Sequence, residues 1–365
     1  MNITIIGIGL IGSSIALSIK KEHPDIQLTA WDQNKDFLQT AFELGQIDVK
    51  ANDLKAAVKE ANLVILAVPV EATKLLLYAI SKLPHRPNLM VTDTASTKFE
   101  IMEEAARAFN NTDIQFMGGH PMAGSHKTGP TAGDAYLFEN AYYILVPGSN
   151  LQAESPEFFK DLMRGSGARF VEVDALEHDR VTSQISHFPH VLASELVRQA
   201  AEYGKEHEWT ERFAAGGFRD MTRIAESDPQ LWTSVLLSNT QAVLSRINDF
   251  QKRLAHLETL VQSRDKQQLF DFFDQGQKAR KKMRIHHRAG VDSFFDLYVT
   301  VPDRKDVVLE VLEHIRGISI VNIHINEENR EDIYGHLQLT FKNQADQEKA
   351  FRILNEESPF DVRKD

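Results

Sequence analysis

Cysteine and long hydrophobic runs are both missing from this sequence. With no cysteine among its 365 residues, the chain has no disulfide, no thiolate metal site and no cysteine nucleophile. The longest apolar runs, Ile3–Ile11 and Leu63–Val70, fall far short of the roughly 20 residues that a membrane-spanning helix needs. The N-terminus also lacks the basic lead-in of a signal peptide. We therefore expect a cytoplasmic protein with no membrane partner.

The chain also has fewer positively charged than negatively charged side chains. Lysine and arginine total 41 against 52 aspartates and glutamates, which gives a formal net charge of −11. A general nucleic-acid binder needs a basic face to displace counterions, so no nucleic-acid partner is expected. A composition of 42% hydrophobic and 25% charged residues is typical of a globular protein. A chain of this length predicts two or three domains.

The first predicted domain, residues 1–173, alternates short strands with helices. Its strands are β-branched and bounded by turn residues, and its helices carry apolar residues at helical spacing. The predicted strands are Asn2–Ile6, Gln27–Trp31, Leu63–Val68, Met90–Thr92 and Tyr143–Val146, and the predicted helices are Leu10–Lys21, Thr73–Ser81 and Lys98–Phe109. This alternation predicts an α/β fold with a doubly wound parallel sheet.

The second predicted domain, residues 174–288, is all-helical. Its predicted helices are Ser194–Tyr203, Leu231–Gln262 and Lys266–Arg284. Five apolar residues lie near one face of the long helix: Leu236, Val243, Ile247, Phe250 and Leu254. Such a stripe is typical of a helical-bundle core or of a dimer seam, and the sequence leaves both open.

The third predicted domain, residues 292–365, follows a basic run at Lys278, Arg280, Lys281, Lys282, Arg284 and Arg288. This run favours a solvated helix end over a nucleic-acid patch, because cations suit the negative end of a helix dipole. The predicted order is a strand (Phe294–Val301), a helix (Lys305–Ile315), two strands (Ser319–Asn326 and Tyr334–Phe341), a helix (Gln347–Leu354) and a last strand (Phe360–Val362). This small α+β unit of βαββαβ order favours a regulatory or structural role.

A dinucleotide site is predicted where the first strand meets the first helix. Gly7 allows a tight turn, Gly9 allows the backbone to approach a pyrophosphate, and Gly12 allows helix and strand to pack closely. Asp32 ends the second strand, where a carboxylate binds the ribose 2′-hydroxyl. No arginine stands beside it to take a 2′-phosphate, so a Rossmann-type site for NAD is favoured over one for NADP. The predicted cofactor residues are Gly7, Gly9, Leu10, Ile11, Gly12, Asp32, Val68 and Thr94.

Two further runs lie where ligands bind in such a sheet. In the run 93–98, Ser96 and Thr97 are candidates to cap the following helix. In the run 118–125, glycines around His120 indicate a backbone loop pressed against a ligand. His120 itself is either a surface loop residue or a base, since neutral imidazole suits proton removal near pH 7.

The helical domain contributes two clusters of special residues. His187 and His190 lie three residues apart on one helical face, with Pro189 between them; cleft or core histidines are favoured over metal ligands, because no Cys, Asp or Glu nearby completes a site. In the run 216–232, an Asp-Pro pair predicts a helix start. Arg223 is either solvated or a bidentate clamp for a carboxylate.

Together these motifs closely resemble those of prephenate dehydrogenase. The most specific strings are GGHPMAGS at 118–125 and GGFRDMTRIAESDPQLW at 216–232. The resemblance covers about residues 1–288 in the right order. It implies an NAD-dependent enzyme of tyrosine biosynthesis that oxidatively decarboxylates prephenate to 4-hydroxyphenylpyruvate, and it implies a homodimer.

The resemblance also implies residue roles. His120 matches the histidine that draws the proton from the ring 4-hydroxyl, and Ser96 matches a serine near that hydroxyl and the nicotinamide. Arg223 matches the arginine that binds a substrate carboxylate. The residues that match the lining of the pocket, some of them supplied by a partner subunit, are His187, His190, Gly216 and Trp232.

The C-terminal unit resembles an ACT domain, an amino-acid-sensing module, at the level of its element pattern. This resemblance implies feedback inhibition by L-tyrosine, with Asp303 and Asn322 as contacts. ACT modules often carry a glycine at the first strand–helix turn, whereas residues 301–306 read VPDRKD here. This departure puts tyrosine binding in doubt.

Three other functions compete with this interpretation. Arogenate dehydrogenase is the nearest, because arogenate differs from prephenate only by an amino group in place of a keto group. Another β-hydroxyacid or imine-reducing dehydrogenase is disfavoured by the GGHP string and the Arg223 cluster. A non-catalytic regulator that senses NAD and an amino acid is disfavoured by His120 and Arg223.

Overall fold

The computed structural model describes residues 1–124, 127–283, 295–302, 304–326, 334–341 and 343–364. The chain divides into two units, Met1–Phe273 and Asp274–Asp365. Each has its own sheet and apolar core.

The first unit contains an eight-stranded sheet in the order β3-β2-β1-β4-β5-β6-β7-β8. Its strands are β1 (Asn2–Ile6), β2 (Gln27–Trp31), β3 (Val49–Lys50), β4 (Leu63–Leu66), β5 (Met90–Asp93), β6 (Gln115–Pro121), β7 (Tyr142–Pro147) and β8 (Arg169–Glu172). The strands from β3 to β6 are parallel, β7 runs antiparallel to β6, and β8 is parallel to β7. The five predicted strands are confirmed, whereas β3, β6 and β8 have no predicted counterpart.

Helices join these strands and then form a helical segment. They are α1 (Leu10–Glu22), α2 (Lys35–Glu43), α3 (Leu54–Lys59), α4 (Val70–Ile80), α5 (Phe99–Ala108), α6 (Ser155–Leu162), α7 (Ala175–Thr182), α8 (Phe188–Gly204), α9 (Trp209–Arg212), α10 (Gly216–Thr222), α11 (Pro229–Ser238), α12 (Thr240–Ser263) and α13 (Lys266–Lys282). A π-helical turn, Ser183–His187, leads into α8, and a 3₁₀ turn, Arg223–Glu226, follows α10.

Apolar layers cover both faces of the large sheet. Along β4, Leu63 and Ile65 belong to one layer, and Val64 and Leu66 belong to the other. Successive side chains of a strand point to opposite faces, so a strand buried on both sides is largely apolar. This explains why β4 is a continuous hydrophobic run, whereas the buried Thr4 of β1 donates its hydroxyl to the Ala57 carbonyl.

The predicted glycine-rich loop around His120 is instead strand β6. Gly118 and Gly119 pair with Val146 and Leu145 of β7. A Cβ on Gly119 would lie 2.4 Å from the carbonyl oxygen of Asp93, and one on Gly118 would lie 2.8 Å from a side-chain sulfur. These two glycines are therefore required by packing within the protein, and the interpretation as a loop pressed against a ligand is wrong for them.

The predicted long helix from Leu231 is interrupted at Asn239. It forms α11, which starts at the predicted Asp-Pro pair with the Asp228 carboxylate accepting the Gln230 N–H, and then α12. Only Val243 and Leu260 of α12 are buried. Of the remaining stripe residues, Leu236, Ile247 and Phe250 are partly buried, and Leu254 is exposed.

The second unit contains a four-stranded antiparallel sheet in the order β10-β11-β9-β12. Its elements are β9 (Phe295–Pro302), α14 (Val307–His314), β10 (Ile320–Asn326), β11 (Tyr334–Phe341), α15 (Gln344–Glu357) and β12 (Asp361–Lys364). The predicted βαββαβ order is confirmed. Of the two predicted effector contacts, Asn322 is exposed on β10, and Asp303 lies outside the described residues.

The β1–α1 turn has the close packing that the dinucleotide motif predicts. Gly7 has a φ of +90°, and a Cβ there would lie 2.4 Å from the Ala67 carbonyl oxygen. A Cβ on Gly12 would lie 2.0 Å from the Gly7 carbonyl oxygen, whereas a Cβ on Gly9 would meet nothing within 4 Å. Gly7 and Gly12 are therefore glycines for the fold, and Gly9 leaves open space at the start of α1, where a pyrophosphate would approach.

This difference predicts that alanine at one glycine lowers stability and alanine at the other weakens NAD binding. Gly12→Ala forces apart α1 and the turn, so we expect the melting temperature of the cofactor-free protein to fall by several degrees, the equivalent of about 1–3 kcal/mol of overpacking. Gly9→Ala leaves that melting temperature unchanged but weakens NAD binding by about tenfold or more, because its methyl group fills the open space. Thermal melts and NAD titration measure both effects. A Gly9→Ala protein with normal NAD affinity would contradict the assignment.

Candidate active site

The predicted cofactor residues meet at the carboxyl ends of β1, β2, β4 and β5. The Asp32 carboxylate accepts the Ile8 N–H at 2.8 Å through Oδ2 and the Asn34 N–H at 2.7 Å through Oδ1. These bonds tie the end of β2 to the turn that carries Gly7, Gly9, Leu10, Ile11 and Gly12. Val68 follows β4, and Thr94 follows β5 with its N–H bonded to the Leu66 carbonyl. The arrangement fits a dinucleotide laid across this edge of the sheet.

His120, near the end of β6, heads a chain of three side chains. Its Nδ1 lies 2.8 Å from Nε2 of His178, and Nδ1 of His178 lies 2.7 Å from Oδ1 of Asp179. An ionised carboxylate only accepts, so His178 donates its Nδ1–H to Asp179, and its Nε2 accepts the Nδ1–H of His120. The Nε2 of His120 therefore keeps its lone pair and is able to take a proton.

Desolvation reinforces this state of His120. Withdrawal of its ring from water holds the pKa of His120 well below its usual value, and the nearby His178, Lys98 and His187 lower it further. The imidazole is consequently neutral at pH 7, as a base must be before it acts.

Asp179 also caps helix α5. Its Oδ1 accepts the Lys98 N–H at 2.8 Å and its Oδ2 accepts the Phe99 N–H at 2.9 Å. The prediction that Ser96 or Thr97 caps this helix is therefore wrong. The Thr97 hydroxyl instead lies 2.9 Å from the Ser238 hydroxyl, and Ser96 is half-buried in the loop before α5.

A buried ion pair fixes the backbone beside His120. The Lys98 ammonium contacts Oδ2 of Asp93 and donates to the Gly119 carbonyl at 2.7 Å, while Oδ1 of Asp93 accepts the Gly119 N–H at 3.0 Å. Both charged side chains are fully buried. Burial lowers the pKa of Lys98 and the charge of Asp93 opposes that change. Because Gly119 is held through both its N–H and its carbonyl, His120 has little freedom to move.

Three of the predicted pocket residues come together in the helical segment. The ring of Trp232 stacks on His190 with centroids 3.5 Å apart, and it meets His187 edge-on at 6.1 Å. Burial lowers the pKa of His190, and a hydrogen bond to the Ile224 backbone opposes this. Burial likewise lowers the pKa of His187 to about 4. Both histidines are thus neutral, polar groups at pH 7.

The remaining two predicted residues are placed differently. Gly216 begins α10, Arg223 begins the 3₁₀ turn, and both are exposed. Among the described residues, no hydrogen bond or ion pair joins either of them to the His120–His178–Asp179 chain. Arg223 is nevertheless adjacent to Ile224, whose backbone bonds His190, so its turn is connected to the Trp232 group.

His178 and Asp179 are site residues that sequence reasoning missed. They lie in a helix whose start is signalled only by Asp174, which caps it through the Leu176 and Glu177 N–H groups. No group of three or more acidic or histidine side chains able to hold a metal ion occurs within the described ranges. In that same part of the chain, no helix is long and apolar enough to cross a membrane.

Comparison with known proteins agrees with this geometry. Residues 15–172 match the family model described as "Prephenate dehydrogenase, nucleotide-binding domain", and residues 174–275 match "Prephenate dehydrogenase, dimerization domain". The chain is 48% identical over 360 residues to prephenate dehydrogenase of Lactococcus lactis, with 99% of each chain covered. It is 40% identical over 362 residues to prephenate dehydrogenase of Bacillus subtilis, with 99% of this chain and 97% of the relative covered.

A solved structure supports the same conclusion. Prephenate dehydrogenase from Aquifex aeolicus, in complex with hydroxyphenyl propionate and NAD+, superposes with a TM-score of 0.71 at 26% identity, covering 78% of this chain and 98% of that one. The chain therefore belongs to the prephenate dehydrogenase family, and it is an NAD-dependent oxidoreductase.

Proposed function

We propose that this chain oxidatively decarboxylates prephenate to 4-hydroxyphenylpyruvate, with His120 as the base. The observation that carries the proposal is the chain of contacts from Nδ1 of His120 through His178 to Asp179, from which we infer that Nε2 of His120 is unprotonated. His120 lies at the same edge of the sheet as the dinucleotide residues. A base positioned there serves the oxidation of an alcohol by hydride transfer.

The chemistry follows from the position of this lone pair. Nε2 of His120 takes the proton of the ring 4-hydroxyl, which raises the electron density at C4. NAD+, when bound, supplies the acceptor for the hydride that leaves C4. The bond between the ring and its carboxylate then breaks, its electron pair enters the ring, and CO2 leaves. His120 returns its proton to the phenolate oxygen, so the base is regenerated and the gain of aromaticity drives the reaction forward.

The chain behind His120 stabilises the proton while it is held. When Nε2 is protonated, the new positive charge lies next to His178, which is oriented by the Asp179 carboxylate. These groups are already in place, so little reorganisation accompanies the charge change. We assign Ser96, half-buried in the loop before α5, to a contact with the same hydroxyl.

Substrate recognition is assigned to the helical segment. Prephenate carries two carboxylates, while the chain as a whole has a net charge of −11. Its binding must therefore depend on local groups. Arg223 offers a bidentate donor for one carboxylate, and His187, His190, Gly216 and Trp232 line the rest of the pocket.

A dimer accounts for three exposed apolar residues of α12. Leu244, Leu254 and Val261 are 46%, 48% and 57% exposed, and large apolar side chains exposed together on one face of a helix are typical of an interface. Residues 174–275 match a family model for a dimerization domain. We assign this face to a homodimer, in which the exposed Gly216 and Arg223 are completed as a pocket by the second subunit.

The C-terminal unit is assigned to an ACT-like regulatory role. Its βαββαβ order and its β10-β11-β9-β12 antiparallel sheet support this assignment. L-Tyrosine is the proposed effector, since it resembles the end product of the reaction, and Asn322 on β10 is the proposed contact.

The role of His120 as the base is tested by His120→Asn. Loss of the base should lower kcat for prephenate and NAD+ by about 10²–10⁴-fold, with little change in KM, because a general base acts mainly in the transition state. Reduced nicotinamide absorbance is the measurement, with arogenate and NADP+ tested in parallel. His256→Asn, at an exposed position of α12, is the matched control. Unchanged turnover removes His120 from the mechanism, and no signal from the parent protein with any substrate pair favours the non-catalytic regulator.

The pH profile tests the protonation state of the same residue. Because the pKa of His120 is lowered in the folded protein, the base stays unprotonated as the pH falls through the range where a free imidazole takes up a proton. We therefore expect kcat to persist below about pH 6.5 and to decline only at lower pH. An acid limb centred at or above the value for free histidine contradicts this.

The role of Arg223 in substrate binding is tested by Arg223→Ala. Loss of a charge-assisted clamp should raise the KM for prephenate by about tenfold to a hundredfold while kcat changes little. Arg223→Lys should recover only part of the affinity, since lysine lacks the bidentate geometry. Arg198→Ala, at a 79% exposed side chain on α8, serves as the control. A normal KM in the alanine variant rejects the clamp.

The role of tyrosine as an effector is tested on the full chain. Titration of the full chain with L-tyrosine should give saturable heat and parallel inhibition of NADH formation. Asn322→Ala should weaken both, whereas Lys349→Ala, exposed on α15, should change neither. Absence of both heat and inhibition in the parent protein rejects tyrosine as the effector.

A further inference from the structure

Asn239 occupies a position where asparagine ordinarily caps a helix. It lies between α11 and α12 with φ −127° and ψ 34°, and it is 7% exposed. Asparagine is favoured at such a position because its side-chain oxygen accepts N–H groups of the first turn. The Asn239 side chain makes no such bond to α12. The burial of Asn239 at the break between α11 and α12 is therefore not explained by capping.

The side chain instead donates to two groups of the candidate active site. Nδ2 of Asn239 lies 2.8 Å from the backbone carbonyl of Asp179 and 3.2 Å from Nδ1 of His187. A carbonyl oxygen only accepts, so the amide atom that faces it is the NH2 group rather than the oxygen. The second N–H of that group faces Nδ1 of His187, which must then be the acceptor. His187 consequently carries its proton on Nε2.

The surroundings of His187 keep it in that neutral form. His187 is buried, with 1% of its surface exposed. The titratable groups that act on it are Asp179 and His178 from α7, His190 from α8 and His120 from β6. Burial outweighs the attraction of Asp179, so the pKa of His187 is lowered.

We propose that Asn239 is a positioning residue of the active site, which holds His187 as an Nε2–H donor and anchors the Asp179 backbone at the end of the His120 chain. One amide group thereby connects the two halves of the site: the base at β6, through Asp179, and the Trp232 group, through His187. The role of Asn239 in turnover rests on the proposed function, whereas the assignment of the His187 proton to Nε2 does not.

Two variants separate this role from simple folding. Asn239→Leu keeps the branching at Cγ but removes both donors, and Asn239→Asp places an acceptor opposite Nδ1 of His187. Thr240→Ala, at the next residue, is the matched control, because the Thr240 hydroxyl bonds only to the Leu236 and Leu237 carbonyls of α11. Thermal melts establish which variants are folded.

The primary measurement is ¹⁵N NMR of histidine-labelled protein without substrate, with the His187 signals assigned by His187→Gln. In the parent protein we expect a proton on Nε2 alone, with no titration between about pH 8 and pH 5.5. In Asn239→Asp the carboxylate should draw a proton to Nδ1 and raise the pKa of His187 into that range. Asn239→Leu should populate both tautomers, and Thr240→Ala should resemble the parent.

Turnover provides the second measurement. Asn239→Leu should lower kcat/KM for prephenate by about tenfold, while Thr240→Ala stays close to the parent. Asn239→Asp should add an ionisation to the pH profile of KM that the parent lacks. A proton on Nδ1 of His187 in the parent protein overturns the proposal without any variant, and so do unchanged His187 signals in folded Asn239→Asp. Because the NMR result needs no substrate, it stands apart from a failure of the proposed reaction.

Discussion

The site depends on the carboxylate of Asp179 more than on any other group. Its two oxygens cap helix α5 through the N–H groups of Lys98 and Phe99, and one of them also orients His178 against His120. A cap of this kind contributes about 0.5–2 kcal/mol, and charge makes each bond stronger than a neutral one. The carboxylate therefore fastens α7 to α5 and sets the tautomers of two histidines at the same time. The position and the protonation state of His120, the proposed base, thus depend on one carboxylate.

The sequence predicts the large sheet well and the site only in part. Strands buried on both faces are largely apolar, as β4 is throughout, and glycine spacing marks the β1–α1 turn. Strand β6 escapes detection because Gly118, Gly119 and His120 replace the apolar pattern there. The pairing of His120 with His178 spans 58 positions, and no local signal connects them. The break at Asn239 is hidden because leucine and valine continue the helical period on both sides of it.

Charge acts on two different scales in this protein. The net charge of −11 disfavours a nucleic-acid partner, but it does not describe the charges within the site. There, a buried lysine and aspartate neutralise each other beside Gly119, and burial keeps His120 and His187 uncharged. The interior thus presents neutral imidazoles and fixed dipoles, while the proposed cation for the substrate, Arg223, stays at the surface. Desolvation, rather than the net charge of the chain, determines which of these groups are neutral and which are charged.

The placement of His120 on a strand has a mechanical consequence. Strand β6 is paired on both sides, to β5 and to β7, and Gly119 is held through its N–H and its carbonyl. His120 itself pairs with Ile144 of β7, so its backbone is fixed by that strand and by the bonds of Gly119. Arg223, the proposed substrate cation, lies instead in an exposed 3₁₀ turn. The proposed base is therefore held more tightly by the fold than the proposed cation is.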